Sequence, residues 1–241
     1  MTSSHVEYVG KDLEAMDFAV AYHHWILDLM KPFLGKRIVE VGAGTGSFSE
    51  LLLTTDPEAL DLVEPSDMYT VLESSLSSRA VPAKLSFYHD IFSNVASEIF
   101  RKGPPDSIVY VNVLEHIEND SEELVTIRAT LQRGGRIFVF VPAMPALYSN
   151  FDKQIGHFRR YRRSELSSKL KAAGFRILDL RWFDMPGILP WLLKYRLARS
   201  MTMESSAVQL YDRLAVPLIK PLENLIPPPL RDFRKVLSTQ P

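Results

Sequence analysis

The chain of 241 residues contains no cysteine. Disulfides, iron–sulfur clusters and thiolate-bound zinc are therefore excluded, and no metal cofactor is expected. Neither sign of charge dominates: 28 Lys and Arg stand against 29 Asp and Glu, a net charge of −1. Such a balance exerts no global pull toward nucleic acid or an anionic membrane, so nucleic acid is not an expected partner. No run of about 18 uncharged apolar residues occurs, so no membrane-spanning helix is expected. The opening "MTSSHVEYVG" lacks the basic-then-apolar order of a signal peptide. Together with the missing cysteines this suits a reducing cytoplasm. Glycine is sparse at 11 residues, yet three of those glycines fall at 42, 44 and 46.

What is present is an ordinary globular composition, 46% hydrophobic and 24% charged, at a length suited to one α/β domain with a decoration. Apolar residues recurring at helical spacing (Leu13, Met16, Val20, Trp25, Leu29) predict a helix over 11–31, closed by Pro32 and Gly35. From there strand and helix patterns alternate. Strands are predicted at 36–41, 59–64, 84–89, 106–113, 135–142 and 175–183. Helices are predicted at 46–53, 66–76, 93–101, 120–131 and 165–173. Asp120 and Glu123 have capping-box spacing, and Ser164 is placed to cap the helix that follows it. Strands apolar throughout, alternating with helices, predict a parallel sheet covered on both faces. Beyond residue 184 the chain turns apolar and Pro-punctuated, as a helical cap would, and "FRKVLSTQ" reads as a short final strand.

In such sheets ligands bind beyond the carboxyl ends of the strands, and the glycines, Glu64, Asp90 and Asn112 all fall there. A triphosphate loop requires Gly-x4-Gly-Lys-Ser/Thr, and that lysine is missing. A dinucleotide fingerprint requires G-x-G-x-x-G, whose third position is here Ser47. Glu64, about 20 residues on, fits the ribose of either NAD or another adenosyl cofactor.

"EVGAGTG" resembles the first motif of class I S-adenosylmethionine-dependent methyltransferases, and "LVEPS" their second acidic motif. "HDI", "VNVLEHIEND" and "LQRGGRIFVFVPA" resemble the three that follow, in order, across residues 36–183. "ALYSNFDKQIGHFRRYRRSEL" and the "LYDRL…PLENLIPPP" tail are similar to a bacterial small-molecule subgroup. The resemblance implies a Rossmann-like α/β fold: a central seven-stranded, mostly parallel sheet flanked by helices, with an N-terminal helix and a helical insertion before the last strand. It divides the chain into a helical cap (1–35), a cofactor-binding core (36–184) and an insertion with a possible last strand (185–241). The tail "RDFRKVLSTQP" is short and polar for a seventh strand, which leaves that edge of the sheet stunted or missing.

The resemblance also implies roles. S-adenosylmethionine would lie against Gly42, Ala43, Gly44 and Gly46, with Glu40 bracing the loop or reaching the cofactor's amino group. Glu64 would hold the ribose beside Pro65, Met68 would pack on adenine, and Asp90 and Ile91 would meet its edge. Asn112 and Val113 would approach the cofactor's amino end. His116 and His157 are the candidate bases, useful where the acceptor must lose a proton. Tyr22 and Trp25 of the first helix are candidate acceptor contacts. Arg160, Tyr161 and Arg162 of "RRYRR" suit an anionic acceptor, or RNA with the tyrosine stacked on a base. The acceptor is expected to be a small molecule, anionic or hydrophobic, with residues 185–232 as a lid or a peripheral membrane face. An NAD(P)-dependent oxidoreductase, an RNA methyltransferase and a non-catalytic binding module are the competing readings.

Overall fold

The computed structural model describes residues 17–225 and 237–239. Five short apolar strands run parallel: β1 (Arg37–Val41), β2 (Ala59–Val63), β3 (Lys84–Tyr88), β4 (Ser107–Val111) and β5 (Arg136–Phe140). With β6 (Arg176–Asp179) and β7 (Leu237–Thr239) they form a seven-stranded sheet in the order β3-β2-β1-β4-β5-β7-β6. β7 is antiparallel to both of its neighbours. The seventh strand is thus present but only three residues long.

Both faces of the sheet are buried, and adjacent strand residues supply opposite cores. Val39, Tyr110 and Val139 pack with Phe92 and Ile99 of α4 (Phe92–Lys102), Leu124 and Ile127 of α5 (Asp120–Thr130), and Leu166 and Leu170 of the helix Arg163–Ala172. Ile38, Val109 and Phe138 pack with Ile26 and Met30 of α1 (Val20–Met30), Phe48 and Leu52 of α2 (Ser47–Leu53), and Leu72 and Leu76 of α3 (Met68–Leu76). This two-residue alternation is why the strands read as mainly apolar rather than as half-polar ones. The helix Arg163–Ala172 is α7; a shorter α6 (Asn150–Gln154) precedes it in the loop after β5.

After β6 the chain forms a cap of α8 (Ile188–Trp191), α9 (Ser205–Leu210) and α10 (Val216–Leu225). Wide π-type turns at Leu192–Leu197 and Tyr211–Ala215 extend α8 and join α9 to α10. The cap is tied to α1 by Val216 and Ile219, which pack on Trp25. Asp212 completes the link: its carboxylate accepts the Ala21 and Tyr22 backbone N–H groups at 2.9 and 2.8 Å. These are first-turn donors of α1, otherwise unsatisfied.

Several local expectations are corrected. The first helix begins at Val20: residues 17–19 are not helical, and 11–16 lie outside the described residues. The N-cap of α5 is Asn119, whose side chain accepts from Glu122 N; Asp120 instead bonds Tyr161 and Lys169. Arg162, not Ser164, precedes α7, and no side chain caps it. The sixth strand stops at Asp179, because Leu180, Trp182 and Phe183 leave the sheet to line a cavity.

Candidate cofactor and acceptor site

Strand order reverses between β1 and β4, and there the segments that follow the two strands part, opening a cavity of about 990 Å³. That is the upper end of the range for small-molecule sites, roughly 300–1,000 Å³. The backbone at this point is unusual on both sides. Gly42, Gly44 and Gly46 have φ of 71°, 57° and 93°, and Asn112 has φ of 55°. Gly42 N and Ala43 N donate to Val63 O at 2.8 and 3.2 Å, and Asn112 N donates to Phe140 O at 2.8 Å. A Cβ on Gly42 would stand 2.4 Å from Val113 Cγ2, so the residue's smallness sets how closely the two strand ends meet.

Two buried carboxylates flank the glycine loop. Glu64 accepts from Gly44 N (2.7 Å), Ser66 N (2.9 Å) and Ser66 Oγ (2.5 Å). Glu40 accepts from Ser49 Oγ at 2.5 Å. Burial pushes the Glu40 carboxyl up to about 8, against the Ser49 hydrogen bond and with help from the charge of Glu64. Both glutamates, Gly42, Ala43, Gly44, Pro65, Ile91, Asn112 and Val113 line the cavity.

At the other wall the loop after β4 meets the loop after β5. The His116 and His157 rings stand edge to face, centroids 4.5 Å apart. His157 Nδ1 lies 3.2 Å from Asp152 Oδ1, and its Nε2 lies 3.8 Å from Glu115 Oε1. Asp152 is fully buried, accepts from Ser149 and pairs with Arg160 Nε at 2.7 Å. Burial alone would raise its carboxyl, but His157, Arg160 and Ser149 together hold it below the ordinary value. Burial and the neighbouring His157 lower His116 to about 3. Burial lifts Glu115 to about 7, with His157 and Arg160 opposing. Aromatic and aliphatic side chains close the cavity toward the cap, among them Phe140, Phe183, Trp191 and Tyr195.

Other expected contacts fall elsewhere. Gly46 lies outside the cavity lining, and a Cβ on it would meet Leu72 of α3 at 3.0 Å. Met68 begins α3 outside the cavity lining. Asp90 also lies outside it, accepting from Ile91 N and Asn94 Nδ2 at the start of α4. Tyr22 does line the cavity, but Trp25 is buried against Phe183, centroids 4.0 Å apart. Of the "RRYRR" cluster only Arg160 reaches the cavity. Its charge is engaged by Asp152, and its guanidinium lies 4.4 Å over the Trp191 ring. Tyr161 is wholly buried, donating to Asp120 Oδ2 and Leu114 O, and so offers no face to a base. Arg162 is exposed and outside the cavity. The cavity-lining carboxylate Glu115 and its neighbour's partner Asp152 were missed, though each sits beside a singled-out histidine, in "LEH" and "FDKQIGH".

A covered parallel sheet with its cavity at the switch point defines a doubly wound cofactor-binding class. Comparison with known proteins narrows it. The chain belongs to the methyltransferase-domain family, whose pattern matches residues 15–180. Its fold is that of class I S-adenosylmethionine-dependent methyltransferases, and it is an enzyme of that kind. The cyclopropane synthase MmaA2 of Mycobacterium tuberculosis is similar at TM-score 0.59 and 14% identity, over 89% of this chain and 82% of that one. A SAM-dependent methyltransferase of Archaeoglobus fulgidus is similar at 0.56 and 18%, over 95% and 99%. The magnesium protoporphyrin IX methyltransferase of Synechocystis, solved with bound SAH, is similar at 0.52 and 17%, over 67% and 76%. A search of curated proteins gives no match.

Proposed function

We propose that the chain methylates a hydrophobic small molecule, with S-adenosylmethionine held at the β1–β2 end of the cavity and the acceptor between the sheet and the cap. The observation that carries this reading is one continuous cavity with two chemically different ends. One end has a tight glycine loop and two buried carboxylates. The other is walled by Phe140, Phe183, Trp191 and Tyr195. The first end fits the cofactor: carboxylates suit its ribose hydroxyls and its cationic groups, and the glycine loop presents bare backbone. In this reading Glu64 takes the ribose and Glu40 stands toward the amino group. Gly42, Ala43, Gly44 and Pro65 lie against the cofactor, as do Ile91, Asn112 and Val113. When bound, the cofactor supplies an electrophilic methyl group on sulfur.

The protein's part is to align the acceptor, exclude water and handle any proton the acceptor must lose. The apolar wall and Tyr22 align an apolar body. The Glu115–His116–His157 cluster meets its nucleophilic atom. Arg160 keeps Asp152 ionised and turned to His157 rather than receiving an anionic acceptor. The small-molecule acceptor is supported by this enclosure, which leaves Tyr161 no face for a nucleotide base.

The cap suits a lipid-facing position. Leu189, Leu193 and Leu197 recur every four residues along one cap segment, and Leu210, Leu214, Leu218 and Leu222 along the other; each is more than half exposed. Lys194, Arg196 and Arg213 stand among them, as cations do on helices that lie on anionic membranes. Among the described residues no helix is long and apolar enough to cross a membrane.

Glu64→Ala tests the cofactor half. Losing one or two charge-assisted hydrogen bonds of about 1.5–3 kcal/mol each predicts an S-adenosylhomocysteine affinity lowered roughly tenfold or more by calorimetry. Unchanged affinity refutes the ribose role. Radiolabelled methyl transfer to fractionated host metabolites tests the acceptor half: label is expected in the apolar fractions, and label confined to water-soluble anions refutes it.

A further inference from the structure

The absence of cysteine excludes thiolate metal sites, but the fold assembles donors of another kind. Glu115, His116 and His157 lie on the cavity wall, each offering one ligand atom, all within 4.8 Å of one another. Glu115 is 0% exposed, and apart from its own main chain neither carboxylate oxygen has a hydrogen-bond partner. A buried carboxylate left this way is costly while ionised unless a cation completes it. Arg160, a nearby cation, is bound at 2.7 Å to Asp152 instead.

The histidines are dressed as metal ligands are. His157 Nδ1 is held by the Asp152 carboxylate, itself fixed by Ser149 and Arg160. A carboxylate at Nδ1 keeps the proton there and leaves the Nε2 lone pair toward Glu115. That carboxylate–histidine arrangement is the usual outer shell of a metal-bound imidazole. His116 is likewise hydrogen-bonded to the backbone of Gly156.

We propose that Glu115, His116 and His157 bind a divalent transition-metal ion in the acceptor half of the cavity. Two imidazoles and one carboxylate favour zinc, iron, manganese or cobalt over magnesium and calcium, which prefer all-oxygen sites. Ligands about 2.0–2.2 Å from one ion stand about 3–3.5 Å apart, so the three donors draw together by about an ångström on binding, a side-chain adjustment. Three protein ligands leave at least one position open, facing the cavity, for a lone-pair oxygen or nitrogen of the acceptor. The inference deepens the function proposed above by naming how this cluster meets the acceptor.

The test uses the untagged, metal-stripped full chain titrated with Co²⁺. Visible d–d bands of a low-coordinate ion are expected at one equivalent, displaced by Zn²⁺ and not by Mg²⁺. Glu115→Gln and His157→Ala should weaken binding roughly tenfold or more, and Asp152→Asn by about 10- to 100-fold through the outer shell. In the unaltered chain, imidazole protons of two histidines should shift paramagnetically, a readout that needs no variant to fold. No binding up to about 1 mM Co²⁺, equal affinity in folded variants, or fewer than two shifted histidines overturns the proposal. S-adenosylhomocysteine titrated into the same samples separates the two readings. Its binding without metal binding sinks the ion site alone, and metal binding without it sinks the cofactor assignment alone.

Discussion

Glu64 is more fully employed than its motif suggests. A carboxylate offers about four acceptor sites, and here Gly44 and Ser66 use three. A ribose diol taking both oxygens must therefore turn the Ser66 hydroxyl aside. Glu40 is different. Its folded carboxyl titrates near 8 rather than 4.5, chiefly through burial, so the folded chain keeps a proton that the unfolded chain has lost. Its contribution to stability is whole below about pH 4.5 and is lost as pH rises through about 8. Glu40→Gln should flatten that loss: denaturation midpoints from about pH 5 to 8.5 should fall less in the variant than in the parent. Parallel curves would show that Glu40 is not the group responsible. At this scale the sequence was half legible. Residue type and motif spacing pointed to Glu40, Glu64 and the two histidines, and all four line the cavity. It misassigned Tyr161, Arg162 and Trp25, because an aromatic or cationic side chain faces core or solvent according to packing that no spacing records. Arg160 shows the same limit: its charge was visible, but not the buried Asp152 that engages it.

The loop between β1 and α2 shows how an element depends on one position. Gly42 has φ of 71° and its missing Cβ leaves room for Val113. Gly42→Ala adds left-handed strain and a clash, together about 2–4 kcal/mol of destabilisation. A loss under about 1 kcal/mol in a denaturant melt would mean that the β4 end yields instead. Elements were the most legible level. Strands buried on both faces leave continuous apolar runs, so each strand of the core was found, with ends displaced by a few residues. Caps were read less well. Asn119 rather than Asp120 caps α5, since the Asp120 side chain is drawn to Tyr161, Lys169 and Arg159. The end of β6 was overrun because Leu180, Trp182 and Phe183 are as apolar as strand residues, yet serve the cavity wall.

Across the whole molecule, the cap is held to the first helix by a residue about 190 positions away in sequence. Asp212→Ala removes the acceptor for Ala21 and Tyr22 N–H and should cost about 1–2 kcal/mol. Amide exchange should quicken at those two residues and along α10; unchanged protection would show that the apolar contact of Trp25 with Val216 and Ile219 suffices alone. The exposed leucines make a separate prediction. Leu214→Ser with Leu218→Ser should reduce cosedimentation with anionic phospholipid vesicles several-fold, since each buried leucine is worth about 1.5–3 kcal/mol. Equal pelleting of variant and parent would assign the stripe to another partner. The sequence suggested a membrane face within 185–232, but the latch was not legible in it, because it depends on how distant helices fold back on the sheet.

The placement of β7 between β5 and β6 bears on how the chain is made. As a ribosome releases it, β6 emerges before its neighbour exists, since β7 is the strand it pairs with. Until residues 237–239 clear the exit tunnel, β5 and β6 each present an open edge on which a second nascent chain can pair. Translational pausing within the cap region would lengthen that exposure.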